Sequence, residues 1–271
     1  RLVNTQVMES GSTMEMSWTP ERAGNWLFHC HILFHIGPGL HLIPPPTGHA
    51  AMDPEHHMAG LVLGIAVAPR GAPVPEEPPA RRLRLLVGER AGVRYGDDPG
   101  LGYALISDTD TQTVTAPGPL IVLTRGEPTT ITVENHLATP TSVHWHGIEL
   151  ESYYDGVPGW TGSAGQLSPP IAPGGSFEAH LTAPRAGKFM YHTHLDDYRQ
   201  LSGGLYGPLI VVEPGVSFDP ATDKVFVLGR EGPDDTFAPL LVNGSSHPAA
   251  LTLARGVSYH LRFIGITTAD D

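Results

Sequence analysis

The chain has 271 residues, a formal charge of −12, only 16% charged residues, 32 glycines, 27 prolines and one cysteine. The negative balance argues against a nucleic-acid or anionic-membrane partner. No apolar run reaches the roughly 18 residues of a membrane-spanning helix, and a lone cysteine excludes an intrachain disulfide. Many Gly/Pro breaks and few long charged faces predict an all-β protein.

In chain order, residues 2–8 and 11–18 read as a hairpin around Glu9-Ser10-Gly11. Met14, Met16 and Trp18 alternate with Glu15, Ser17 and Thr19, the pattern of a half-buried strand. That period makes core packing a better reading of the two methionines than thioether ligation. The opening residues read like the middle of a strand, and no signal peptide is visible. Residues 41–58 form a loop rich in Pro, His and Met, read as solvated, with a substrate or auxiliary metal site as the other reading. Residues 60–68 are expected to be a buried closing strand. The stretch 71–80 is a Pro-rich linker, so 1–70 and 81–214 are expected to be separate domains, with a third unit over 215–271. Strands are predicted at Leu83–Val87, Leu120–Leu123, Thr130–Glu134, Ser142–Ile148, Ser176–Ala183, Lys188–His192 and Tyr206–Val212. The third unit has candidates near Lys224–Leu228 and Tyr259–Phe263, then stops too early to close a sandwich.

The chemistry concentrates in His29-Cys30-His31-Ile32-Leu33-Phe34-His35, which holds the single cysteine. A thiolate close to imidazoles suits a blue copper site with a weak or absent axial ligand. On an extended backbone adjacent side chains face opposite ways. If Cys30 faces one metal, His29 and His31 face away from it, toward a second centre. Two further pairs, His144-Trp145-His146-Gly147 and His192-Thr193-His194, each place two imidazoles on one strand face. A buried apolar filler is the ordinary fate of a lone cysteine, but not of one between two histidines with a third close behind. His136, His180, His247 and His260 have no partner at chelating spacing and are read as structural or exposed, His180 facing solvent. His41 stays open.

On these motifs the chain resembles the multicopper oxidases of the laccase type. The resemblance implies tandem cupredoxin-like Greek-key β-sandwiches, the first and last incomplete. It also implies four copper ions per complete site. Cys30 and His35 would hold a type 1 copper, and Leu40 falls where the family has its variable axial residue, here unable to coordinate. His144 would hold the type 2 copper, and His29, His31, His146, His192 and His194 the type 3 pair. The implied partners are dioxygen and a small reducing substrate, in a periplasmic or secreted setting. Asp155, in Tyr154-Asp155-Gly156, lies where the family often places a carboxylate that relays protons; an ordinary Asp-Gly turn is the alternative. Asp196 and Asp197 are weaker candidates, and Phe34 stands where some relatives carry a Glu.

Two departures from the family pattern matter. The His-x-x-His-x-His segment expected upstream of the cysteine motif is absent, since residues 1–28 contain no histidine. The remaining ligands are therefore expected from a longer parent chain or from another chain. The cysteine motif also precedes the His-x-His-Gly motif, the reverse of most three-domain laccases. The rival readings are a copper nitrite reductase, a blue-copper electron carrier or copper-binding module, and an inactive fragment. The first needs no type 3 pair, and the second leaves the His144 and His192 pairs without a purpose.

Overall fold

A computed structural model describes residues 5–31, 35, 60–70, 78–107, 113–163, 165–232 and 240–266. Leu40, His41, Phe34 and the 41–58 loop lie outside the described residues, as does most of the 71–80 stretch. Among the described residues the regular secondary structure is almost all strand, and no helix is long and apolar enough to cross a membrane.

The N-terminal part contributes β1 (Gly24–His29) and β2 (Val62–Val67), paired antiparallel from Gly24↔Val67 to His29↔Val62. Four strands follow: β3 (Arg81–Tyr95), β4 (Asp98–Ile106), β5 (Ile121–Thr124) and β6 (Thr129–Asn135). A 3₁₀ turn at Ser152–Tyr154 precedes the short hairpin of β7 (Gly162–Ser163) and β8 (Gln166–Leu167). Next come β9 (Ser176–Leu181), β10 (Gly187–His192), the helix α1 (Asp197–Gly203) and β11 (Tyr206–Val212). The last strands are β12 (Asp223–Gly229), β13 (Leu241–Val242) and β14 (His260–Ile266).

The centre of the molecule is a sandwich. One sheet has the order β4-β3-β6-β9 and the facing sheet β10-β11-β5. Its core holds Leu85, Val87, Ile131, Val133, Ala179, Leu181, Tyr191, Leu209 and Val211. In β6, Ile131 and Val133 turn inward while Thr132 and Glu134 are half-buried on the other face. β11 is the middle strand and is buried along its whole length. Pro208 is tolerated there because the parallel ladder to β5 starts only at Leu209↔Ile121, so the missing N–H costs that ladder nothing.

The β1–β2 ribbon is joined to this sandwich. β1 pairs with β7 at Asn25↔Gly162, giving a sheet of order β2-β1-β7-β8. Ser152 Oγ ties the seam, donating to Asn25 O and accepting from Gly162 N. Leu27, Cys30, Val62 and Trp160 pack around Val157 beneath it. A fourth sheet of order β13-β12-β14 packs through Val227 and Ile266 against Tyr206. It is anchored by Glu231, which accepts from Tyr95 Oη, from Tyr206 Oη at 3.0 Å and from the Arg90 guanidinium at 2.7 Å.

Four expectations are corrected. Residues 5–23 form no strand: the Glu9–Ser12 turn exists, but no ladder flanks it. Met14 and Met16 are exposed rather than packed, and Trp18, though its ring meets Trp26 edge-on, is largely exposed too, because no sheet among the described residues covers their face. The 60–68 strand is not buried, for Leu61 and Leu63 lie on its open side. Ser142–Ile148 is not a regular strand but an irregular segment held by the isolated bridges Thr141↔Ile171 and His144↔His192. The strand β4 and the helix α1 carry no pattern that the reading above picked out.

The Arg90–Glu231 pair is almost fully buried. Removing one partner of such a pair leaves the other charged and desolvated. Glu231→Ala is expected to lower unfolding free energy by about 3–5 kcal/mol in urea titrations; a loss below about 1 kcal/mol would show a solvated pair.

Candidate metal centre

The site is built from two backbone facts. His144 and His192 lie opposite one another and exchange both main-chain hydrogen bonds, His144 N to His192 O at 2.7 Å and His192 N to His144 O at 3.1 Å. Trp145 and Tyr191, their sequence neighbours, turn the other way into the core, with ring centroids 6.1 Å apart. Alternation then aims the histidines away from the core, toward the β1 side. His144 reaches His146, His192 and His194 at ring-centroid separations of 5.4, 5.3 and 5.4 Å. His146, His192 and His144 offer ring nitrogens that all lie within 4.8 Å of one another.

The cysteine segment closes over this face. Cys30 N donates to Leu61 O at 3.0 Å at the end of β1. His29 and His31 stack on each other at 4.9 Å and 22°. His31 meets His146 at 4.9 Å and His29 meets His194 at 5.3 Å. The thiol itself faces His35, with Sγ 3.3 Å from His35 Nδ1. So His29, His31, His144, His146, His192 and His194 converge on one place, and Cys30 and His35 form a second one beside it.

The ring nitrogens are oriented, not merely close. His29 Nδ1 donates to Cys30 O at 2.8 Å, His144 Nδ1 to Asp155 O at 2.7 Å, and His192 Nδ1 to Thr193 O at 2.6 Å. A carbonyl only accepts, so these rings carry the proton on Nδ1 and keep Nε2 as a free lone pair. His194 Nδ1 lies 3.4 Å from the Asp197 carboxylate, and His194 N donates to Ser142 Oγ at 3.0 Å. The backbone carbonyl of Asp155 fixes His144, while its carboxylate lies 3.3 Å from the same Nδ1.

Electrostatics keeps most of these rings neutral. Desolvation, and then the neighbouring imidazoles, hold His146 and His192 well below the usual histidine range. His29 is lowered mainly by burial, against the raising effect of its bond to Cys30 O. His31, at the rim, is lowered to about 4 by desolvation with His29 and His144. For His144 burial also lowers, but the charge and hydrogen bonds of Asp155 outweigh it and the net shift is upward. Asp197 is raised to about 7 by burial and by Asp196, against the pull of His144.

Six clustered imidazoles, most of them unprotonated and three with Nδ1 tied to carbonyls, are what a borderline-soft transition metal requires. The thiol–imidazole pair beside them is of the type that copper selects. The residues present therefore fit copper. A cleft of about 130 Å³ lined by Lys188, Phe189, Met190, Phe263 and Ile264 reaches His146 from between β10 and β14.

Comparison with known proteins agrees. Two family models, both described as multicopper oxidase, match residues 2–43 and 109–215, together more than half of the chain. The chain belongs to the multicopper oxidase family. It is 40% identical over 114 residues to the multicopper oxidase MmcO of Mycobacterium tuberculosis, covering 42% of this chain and 21% of that protein. It is 31% identical over 185 residues to Laccase-2 of Botryotinia fuckeliana, covering 56% of this chain and 30% of that protein. The chain thus spans less than a third of the length of these relatives. Among solved structures, a laccase from B. aclada superposes with a TM-score of 0.50 at 27% identity, over 70% of this chain and 39% of that one. That likeness accords with cupredoxin sandwiches.

Among the described residues, the other histidines stay apart from the centre. His136 pairs with Glu134, His260 with Asp223 and His247 with Ser246. His180 does not simply face solvent: it is half-buried against the Tyr154 ring at 4.6 Å. The sequence reading missed Gln200, Thr141, Thr193 and Ser142, which brace the loops carrying the histidines. The spacing Asp197-x-x-Gln200 just after His194 was the available signal, since i and i+3 share a helix face.

In the metal-free protein, a proton NMR titration should show His31 holding neutral down to about pH 4. A midpoint near the ordinary 6.5 would mean that the imidazoles assemble only around the metal.

Proposed function

We propose that this chain carries the redox centres of a laccase-like multicopper oxidase. Its reaction is the one-electron oxidation of phenolic, aromatic or low-valent metal-ion substrates, coupled to reduction of dioxygen to water. The observation that carries the reading is the convergence of the six imidazoles beside a separate thiol–imidazole pair. Cys30 and His35 would hold a type 1 copper, His144 a type 2 copper, and His29, His31, His146, His192 and His194 a type 3 pair. Copper bound in these places supplies the one-electron steps at the thiolate and the four-electron reduction at the cluster.

The chain's own residues do the rest. The peptide units joining Cys30 to His29 and His31 link the two places covalently, and the His29 Nδ1–H···O=C bond to Cys30 adds a second short connection. Asp155 lies at the edge of the cluster with its carboxylate 3.3 Å from His144 Nδ1, a position from which it can hand on protons. Further type 1, type 2 and type 3 ligands would come from residues outside this sequence, in a longer chain or a partner. The setting would be periplasmic or secreted. Six convergent histidines leave a nitrite reductase or a simple electron carrier without a use for His29, His31, His146 and His194 together.

The test is copper content and absorption of the purified protein. The parent should hold several coppers and show intense thiolate-to-copper absorption. Cys30→Ser should lose that absorption yet keep the cluster metal, whereas His146→Ala should lose cluster metal and keep the absorption. A parent with one copper or none would overturn the assignment.

A further inference from the structure

Resting on the metal-centre reading, we infer that Asp197 is a positioning residue: its carboxylate fixes the His194 ring so that Nε2, not Nδ1, faces the cluster.

His29, His144 and His192 each donate Nδ1–H to a main-chain carbonyl. His194 is built differently. The group facing its Nδ1 is the Asp197 carboxylate, with Oδ2 3.4 Å away. Asp197 is only 4% exposed, and its Oδ1 meets no hydrogen-bond donor among the described residues. A buried carboxylate with an unsatisfied oxygen is costly unless a cationic or proton-donating neighbour offsets it. His194 Nδ1, 3.4 Å from Oδ2, is the proton-donating group placed to do so.

The scaffold around Asp197 is tied together by hydrogen bonds. Asp197 opens α1, and Gln200, one turn later on the same face, is locked into the loops that carry the histidines. Gln200 Oε1 accepts from Thr141 Oγ1 at 2.7 Å and from Thr193 Oγ1 at 3.0 Å. Its Nε2 donates to Pro140 O at 2.8 Å. Ser142 Oγ meanwhile accepts from His194 N at 3.0 Å, so backbone and ring are held from opposite sides. Gln200 thus sets the helix against the loop, and Asp197 transmits that placement to one imidazole. A carboxylate on the far nitrogen also raises the basicity of the ring toward a metal, and mutating such an outer partner costs about 10–100-fold in metal affinity at comparable sites.

The test uses ¹⁵N-histidine-labelled protein and two variants, Asp197→Leu and Asp197→Asn. In the metal-free parent, residue 194 should show the Nδ1–H tautomer. Asp197→Leu should shift it toward Nε2–H. Asp197→Asn, whose amide oxygen can still accept, should retain the tautomer but bind Cu²⁺ about tenfold more weakly in chelator competition. If the leucine variant does not fold, the asparagine variant still decides through its Cu²⁺ affinity. An unchanged tautomer in Asp197→Leu, or unchanged affinity in Asp197→Asn, overturns the role. A tautomer shift in a protein that binds no copper would leave Asp197's role standing and sink the oxidase reading instead.

Discussion

The two main-chain hydrogen bonds exchanged by His144 and His192 set the geometry of the whole centre. They join the irregular segment after β6 to the end of β10, and they set which side chains face which way. A slip of one residue at this bridge would send Trp145 and Tyr191 outward and the histidines into the core. The register that fills the core with the largest aromatic side chains is therefore the register that collects the imidazoles. Stability and metal binding are coupled through one pair of peptide groups. Gly156 belongs to the same arrangement. Its φ of +78° and its approach to Val143 O leave no room for a Cβ, and it is what brings Asp155 O onto His144.

The cluster also shows how a fold can hold basic groups ready for a metal. Crowding and desolvation keep most of the rings unprotonated, and outward hydrogen bonds from Nδ1 leave Nε2 available. The two acids at the edge act unequally. Asp155 opposes the effect of burial on His144 and draws its affinity for protons upward. Asp197, deeper and next to Asp196, is itself raised. In the proposed roles, the first carboxylate hands on protons and the second holds a ring in place.

The N-terminal ribbon supplies the thiol without disturbing this frame. It docks by one strand pairing, a serine that bonds to both sides of the seam, and a small apolar cluster around Val157. Chain order imposes nothing on such a junction. Ligands need only to reach a common point, so a cysteine motif that precedes the His-x-His-Gly motif serves as well as one that follows it.

The sequence by itself determined the local chemistry. His29, Cys30 and His31 had to diverge because adjacent residues on an extended chain face opposite ways, and His-x-His had to share a face for the same reason. It also determined the all-β class and nearly every strand of the sandwich, since inward Ile131 and Val133, or the continuous apolar run of β11, need a second layer to cover them. Only the tertiary structure decided that the three motifs meet. That depends on the His144–His192 bridge and the β1–β7 seam, which join residues distant in sequence and leave no periodic trace. The same reason hid Gln200 and misread Met14 and Met16: alternation shows that a face could be covered, whereas covering it takes another part of the fold.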